Sequence, residues 1–415
     1  MNTAELSKRW RELSRSYVDG VNDFVARDIA TKGESGTQPP EENRAELAGD
    51  VLNAVRDANR AEETANLREL FPPATEPFHE YTREGSPIEP ILLPDGGIVA
   101  RVGAPYDENA LGVVVIRGAG YERLPTVRAV GRCPNRRYFA LAGGDAVTVT
   151  DGWGGETVMK LAYPAVSETP LPVTTLAPFP DGKRVLLVSS VGIWVLSDTG
   201  AVRLLPEDDD GDAMELSMEH GAMSPDGKWI AAGNQDGKHY LFDAETYTLA
   251  AQIGPHGEYP HYALFSTDSQ HVALNACHFY AGGTICVATK DVLGMNTDFY
   301  EEDSRIRLIE DGARVYAGVA RPGEFLLGDA YGYVRGCGIT DGLRWRHYIG
   351  GTVSGMDISE DGKRLLVGTY AGILADIALD AATTPDPFTI GYGGNHLETR
   401  RYLFWDKPTG EMLVW

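Results

Sequence analysis

The densest chemistry along the chain is a run of carboxylates. From Pro206 to Glu219 there are seven acids, Glu207, Asp208, Asp209, Asp210, Asp212, Glu215 and Glu219, and no Lys or Arg. Such a segment carries a strongly negative field and suits a basic partner, steering its approach. Read differently, it is a solvated connection held open by its own repulsion, and composition leaves both readings standing. Asp208, Asp210, Asp212 and Glu219 fall at relative positions 1, 3, 5 and 12, as in a calcium-binding EF-hand loop. Ala213 stands where that loop needs glycine, however, and no helix pair flanks it. His256, His261 and His278, with Glu258, make a second group that could hold zinc. Their spacing matches no metal motif, so ordinary hydrogen-bonded histidines are expected and no metal or other cofactor is assigned. The chain has no GxSxG nucleophile elbow, no GxxxxGK[ST] phosphate loop and no HExxH, so hydrolase, nucleotide-binding and zinc-protease chemistry have no carrier.

Composition narrows the partner class. Sixty acidic against 37 basic residues give a formal charge of -23, which disfavours nucleic acid and anionic lipid. No run of about eighteen apolar residues exists, so no spanning helix is expected, and the charged N-terminus MNTAELSKRWRELSRSY does not read as an export signal. The expected location is the cytoplasm. Cys133, Cys277, Cys286 and Cys337 form no CxxC unit and read as reduced core residues.

Two textures divide the elements that must position these residues. Over residues 1–75, Leu6, Trp10, Leu13, Tyr17, Val21 and Phe24 follow one another at steps of four or three, the stripe of an amphipathic helix ending near Lys32-Gly33. Leu47, Val51, Val55 and Ala58 make a second stripe, continuing toward Leu67, Leu70 and the stop at Pro72-Pro73. An N-terminal α-helical hairpin fits this pattern.

Over residues 76–415 the helical period gives way to short β-rich runs between Gly-, Pro- and Asp-containing turns. Three runs align without gaps over their first half: FPDGKRVLLVSSVGIWVLSDTG (179–200), SPDGKWIAAGNQDGKHYLFDAET (224–246) and SEDGKRLLVGTYAGILADIALD (359–380). RPGEFLLGDAYGYVRGCGITDG (321–342) aligns with the last of these, and LPDGGIVARVG (93–103), CPNRRYFALAGGDAVTVTDG (133–152) and STDSQHVALNACHFYAGGTICVATKD (266–291) are weaker copies. With the turn position at Gly96, Arg136, Gly182, Gly227, Ser269, Gly323 and Gly362, the steps are 40, 46, 45, 42, 54 and 39 residues, the period of a four-stranded blade. The long step holds an extra stretch, DVLGMNTDFYEEDS, expected as an insertion in the fifth blade.

These repeats resemble the WD-repeat-like propellers, over roughly residues 85 to 390, and the chain would be a divergent bacterial-type member. Phe242-Asp243 stands where that family's hallmark dipeptide would end the fourth unit, and Trp405-Asp406 lies outside the aligned repeats, so no family binding residue is carried over. The resemblance implies an all-β seven-bladed propeller, with the second-to-third turns and the blade connections on one face and the first-to-second turns on the other. The acidic run and Asp236 then share the connection face, while Lys183-Arg184, Lys228 and Lys363-Arg364 lie opposite. The C-terminal RRYLFWDKPTGEMLVW reads as a β-hairpin whose aromatic residues are packing; either it or PFHEYTREG near residue 80 would supply the ring-closing outer strand.

The functional expectation is a non-enzymatic protein-binding propeller whose partner is basic, with an intracellular inhibitor or immunity protein against a basic bacterial toxin as the specific form. A scaffold subunit of a larger assembly is the alternative within that class. A metal-dependent propeller enzyme, drawing scattered Asp, Glu, Asn and His into the channel, is the alternative outside it.

Overall fold

In a computed structural model, residues 2–31, 36–104, 110–166, 170–206, 215–406 and 411–415 are described. Seven antiparallel sheets follow one another, the first five of four consecutive strands each and the last two of five, with Gly391–Tyr392 joining the sixth from within the sequence of the seventh, and the whole is a seven-bladed β-propeller. Their innermost strands are Ile88–Leu92, Ala129–Arg132, Thr175–Pro178, His220–Met223, Tyr259–Phe265, Val315–Arg321 and Val353–Ile358. These surround a central channel of about 620 Å³.

The recurring turn explains why the repeat is legible. All seven turn positions have positive φ, from 60° at Ser269 to 84° at Gly96, a region that glycine enters freely. In blade 7 the Ser359 hydroxyl accepts the backbone N–H groups of Lys363 and Arg364 at 3.1 and 2.8 Å. In blade 4 the Ser224 hydroxyl does the same for Lys228 and Trp229. The aspartate two residues after each serine accepts the serine O–H, so the turn satisfies its own polar groups and closes in one conformation.

Beyond the turns, the middle strands are apolar on both faces because each blade packs between two others. Val185, Leu186, Leu187 and Val188 are fully buried, as are Leu366 and Val367. The stretch 289–305 lies between the third and fourth strands of blade 5, where an insertion was expected.

Of the two segments the sequence offered for the ring-closing outer strand, the C-terminal one supplies it and the one near residue 80 does not. Blade 1 takes all four strands from 88–123, and the segment 76–82 is a helical turn rather than a strand. Leu397–Asp406 and Glu411–Val414 instead form the two outer strands of blade 7, so the last blade is completed by its own downstream sequence. Blades 1 and 7 then meet through packing of Ile88, Leu92 and Ala100 against Leu366, Leu374 and Tyr402. Ser354 Oγ donates to the Ile88 carbonyl and accepts its N–H, at 2.8 and 2.9 Å.

Residues 3–60 hold two helices, α1 (Thr3–Thr31) and α2 (Ala45–Arg60). The second stops earlier than its apolar pattern. Glu62 enters the left-handed region at φ 58°, and its neighbour Glu63 donates to the Ala58 carbonyl at 2.8 Å, a cap that ends the helix. Only the short helix Leu67–Leu70 resumes it. Leu6, Trp10, Val51 and Val55 share one core with Phe78, Trp405 and Trp415, so the helices rest on the outer part of blades 6 and 7. Two buried ion pairs fix the seam: Glu398 meets Arg401 at 2.8 Å and Arg68 at 3.0 Å. Burial alone would raise the Glu398 carboxyl, but these two guanidiniums hold it down to about 2. No helix among the described residues is long and apolar enough to cross a membrane.

Candidate functional site: the loop face and channel mouth

The chain enters each blade on one face, descends the first strand and returns on the second. Every second-to-third turn therefore comes back to the entry face, beside the blade connections. On this loop face, three consecutive blades present aromatic side chains to solvent. Blade 5 contributes Phe279 and Tyr280 at the tip of the hairpin in which His278 pairs with Ala281, and they are 76% and 61% exposed. Tyr331 comes from the corresponding turn of blade 6 and Tyr370 from that of blade 7, both exposed. Phe299 and Tyr300 join them from the insertion, because the Tyr300 N–H donates to Pro255 in the connection between blades 4 and 5.

These rings form two groups joined through Arg314, whose backbone N–H donates to the Tyr280 carbonyl and whose guanidinium donates to that of Phe279. Tyr280 and Tyr331 stand 6.0 Å apart, Tyr316 and Tyr370 5.8 Å, and Tyr316 and His261 4.7 Å. The Arg314 guanidinium lies 4.5 Å over the Tyr316 ring, at the rim of the channel. Carboxylates are interleaved with them. Glu258 pairs with His278 at 2.7 Å, Asp298 with Lys238 at 3.2 Å, and Asp236, Glu301 and Asp311 are exposed. Aromatic faces beside carboxylates suit Lys and Arg side chains, by cation–π contact and charge together.

The expected site residues distribute as follows. Glu207, Asp208, Asp209, Asp210 and Asp212 lie outside the described residues. Glu215 and Asp236 are exposed, the latter at the second-to-third turn of blade 4. Glu219 lines the channel, where its Oε1 accepts a hydrogen bond from Thr174 Oγ1. Burial, and then the neighbouring Glu215, raise its carboxyl above the usual range. It therefore belongs to the channel wall rather than to an outward acidic patch, and its oxygen is committed to Thr174 rather than to a calcium loop.

The three histidines do not converge on one point. His256 packs against the Tyr300 ring, His278 is held at the hairpin tip by Glu258, and His261 lies in the channel wall. His261 Nδ1 donates to the Val315 carbonyl at 2.6 Å, and its Nε2 accepts from Arg314 at 2.8 Å. A guanidinium thus occupies the nitrogen that a metal would need, and burial, then Arg314, push the imidazole down to about 3. Among the described residues, no three His, Cys, Asp or Glu are grouped to hold a metal ion. All four cysteines are buried and free, and Tyr402, Phe404, Trp405 and Trp415 are packed inside.

The exposed aromatic face was not anticipated from sequence. Its members arrive one or two at a time from separate loops, and only the fold brings them together. The one available signal was HFYAG, a Phe-Tyr pair where a hairpin tip favours Asn and Gly.

No protein-family model matches the chain, and no curated protein matches it. Among solved structures, Hsv2 of Kluyvelomyces marxianus is 10% identical, over 80% of this chain and 97% of its own, with a TM-score of 0.43. Hydrazine synthase of Kuenenia stuttgartiensis is 13% identical, over 72% of this chain and 98% of its own, with a TM-score of 0.45.

Proposed function

We propose that this chain is a non-enzymatic protein-binding propeller of the WD-repeat-like kind, which docks a basic polypeptide on its loop face. The observation that carries this reading is the surface formed by Phe279, Tyr280, Tyr331 and Tyr370 across three blades, with exposed carboxylates between them. Contiguous exposed aromatic area of this kind marks interaction sites, and Tyr is enriched among residues that dominate binding energy. The formal charge of -23 and the acidic run 207–219 in the connection between blades 3 and 4 favour a cationic partner. The same charge supports the finer form of the reading, an intracellular inhibitor that covers a basic toxin or effector.

The test is affinity capture from the host, comparing the wild-type chain with a Phe279→Ala/Tyr280→Ala double variant. A partner of net positive charge should be retained by the wild type and lost by the variant. A partner held equally by both would overturn the aromatic face as the docking surface, and an acidic partner would overturn the charge argument. With that partner in hand, replacing Asp208, Asp209, Asp210 and Asp212 by serine should leave stability within about 0.5 kcal/mol. It should slow association and flatten its salt dependence, with little change in dissociation. Equal association rates at low salt would show that the run is only a solvated connection.

A further inference from the structure

The opposite, turn-face end of the channel holds two guanidiniums beside a single buried carboxylate. At the seven equivalent turns five blades have glycine, and the other two residues are Ser269 and Arg136, at φ 60° and 65°. A side chain in that region carries a strain that glycine avoids, and such strain persists where the residue is used. Ser269 has a visible use, since its hydroxyl accepts the Asp226 N–H at 3.0 Å across the blade boundary. Arg136 sends its guanidinium to the channel wall, where it donates to the Ile358 carbonyl of blade 7. That one bond leaves four of its five N–H donors without a partner among the described residues.

Arg132 lines the same mouth. It donates to the Leu92 carbonyl at 2.7 Å and to Asp357 Oδ1 at 2.6 Å. Asp357 is already engaged on its other side, where Oδ2 accepts the Leu92 N–H at 2.6 Å. Two guanidiniums thus share one carboxylate whose oxygens are both occupied. Burial, and then the charge of Arg132, weaken the hold of Arg136 on its proton, and the opposing charges of Asp357 and of the exposed Glu360 do not make up for them. This happens inside a chain with an excess of acids.

We infer that the turn-face mouth of the channel, at Arg132 and Arg136, is a binding site for a small oxyanion, a phosphate or a carboxylate. The planar forks of arginine match both groups, and the channel of about 620 Å³ has room for the body of an organic molecule carrying them. This site lies on the face opposite the aromatic surface and stands independently of the protein-binding reading.

Calorimetric titration of the full chain at low salt, with inorganic phosphate and separately with citrate, tests the site. Saturable binding of one molecule per chain is expected, and the tighter anion identifies the phosphoryl or the carboxylate class. Arg136→Gly removes the guanidinium and the backbone strain together, so it should melt at the same or a higher temperature while binding at least about tenfold more weakly. Arg136→Lys keeps charge without the fork and should fall between the two. Arg136→Gln gives the same reading should the glycine variant not fold, and Lys183→Gln, on an exposed turn, should bind as wild type does. Absence of saturable binding of either anion up to about 10 mM would overturn the site. So would an Arg136→Gly or Arg136→Gln chain that binds like wild type, or one that only melts lower, since Arg136 would then be a tie between blades 2 and 7. Capture of the loop-face partner should be unaffected by Arg136→Gly, which separates failure here from failure of the protein-binding reading.

Discussion

Phe279 and Tyr280 occupy the two tip positions of a hairpin, and Phe279 adopts φ 54°, where a glycine is favoured. Neither ring is buried, so packing does not account for them. Replacing Phe279 by glycine should leave the protein within about 1 kcal/mol of wild type, on the more stable side, because the strain goes and no core is lost. Affinity for the loop-face partner should fall by about 2 kcal/mol if the ring is an anchor. Thermal melts and equilibrium binding of the same variant read both quantities; a lower melting temperature with unchanged affinity would make the residue structural. Two buried carboxylates in different blades, Glu398 of blade 7 and Glu310 of blade 5, are held in opposite ways. Glu398 is held ionised by two arginines, whereas Glu310 shares Arg335 with Asp329 and is pushed up to about 7 by burial.

At the scale of elements, the helices and the last blade depend on one another. Trp415 is 1% exposed, donates its Nε1–H to the Phe71 carbonyl at 2.7 Å, and meets the Phe78 ring edge-on at 5.5 Å. Trp10 reaches the same cluster from α1, with its Nε1–H on the Pro72 carbonyl. Trp415→Ala should cost about 3–5 kcal/mol, measured by denaturant unfolding, and should expose α1 and α2 to protease before the ring is cut. Simultaneous cleavage of helices and blades would instead show one cooperative unit. The blades were legible in the sequence because every turn position takes a left-handed residue and, in every blade but the sixth, a neighbouring Asp, Asn or Ser satisfies the turn amides, a combination that returns every 39 to 54 residues. Arg136 and Ser269 marked the same position without glycine. The outer strands of blade 7 were less legible, since 379–396 separates them from the strand they pair with. The aromatic face was legible only at HFYAG, because adjacency across blades leaves no trace in local spacing.

For the whole molecule, the buried histidines set the response to acid. Burial holds His220, His347 and His396 down to about 4 and His239 well below its ordinary value, while burial and Arg314 hold His261 near 3. An unfolded histidine titrates near 6.5, so below that pH the unfolded chain takes up protons that the folded one refuses. Each such group contributes stability that is present above 6.5 and lost as pH falls, by about 1.4 kcal/mol per pH unit. Glu310 acts in the opposite sense. Its folded value near 7 lies above the ordinary 4.5, so it contributes stability at low pH that is lost as pH rises through that window. Five histidines outweigh one glutamate, and stability should fall steeply from pH 6.5 to 5. Glu310→Gln, which removes the opposing group, should make that fall steeper. Urea melts of both proteins across this range check the sign; a wild type more stable at pH 5 than at 7 would show that the histidines are charged in the fold.

The completion of blade 7 by its own downstream strands also fixes an order of events during synthesis. Apart from Gly391–Tyr392, which pairs with the outer strand of blade 6 from within the blade 7 sequence, each blade is contiguous, so blades can form one after another as they leave the ribosome, each stacking on the one before. Blade 1, however, keeps Ile88, Leu92 and Ala100 uncovered until Leu366, Leu374 and Tyr402 have been made. The helices precede every blade in the sequence, yet the rings of Trp405 and Trp415 on which they rest follow the first strands of all seven. The nascent chain therefore carries two apolar surfaces whose covers lie some three hundred or more residues downstream, and it is open to association with other chains until those covers have been made.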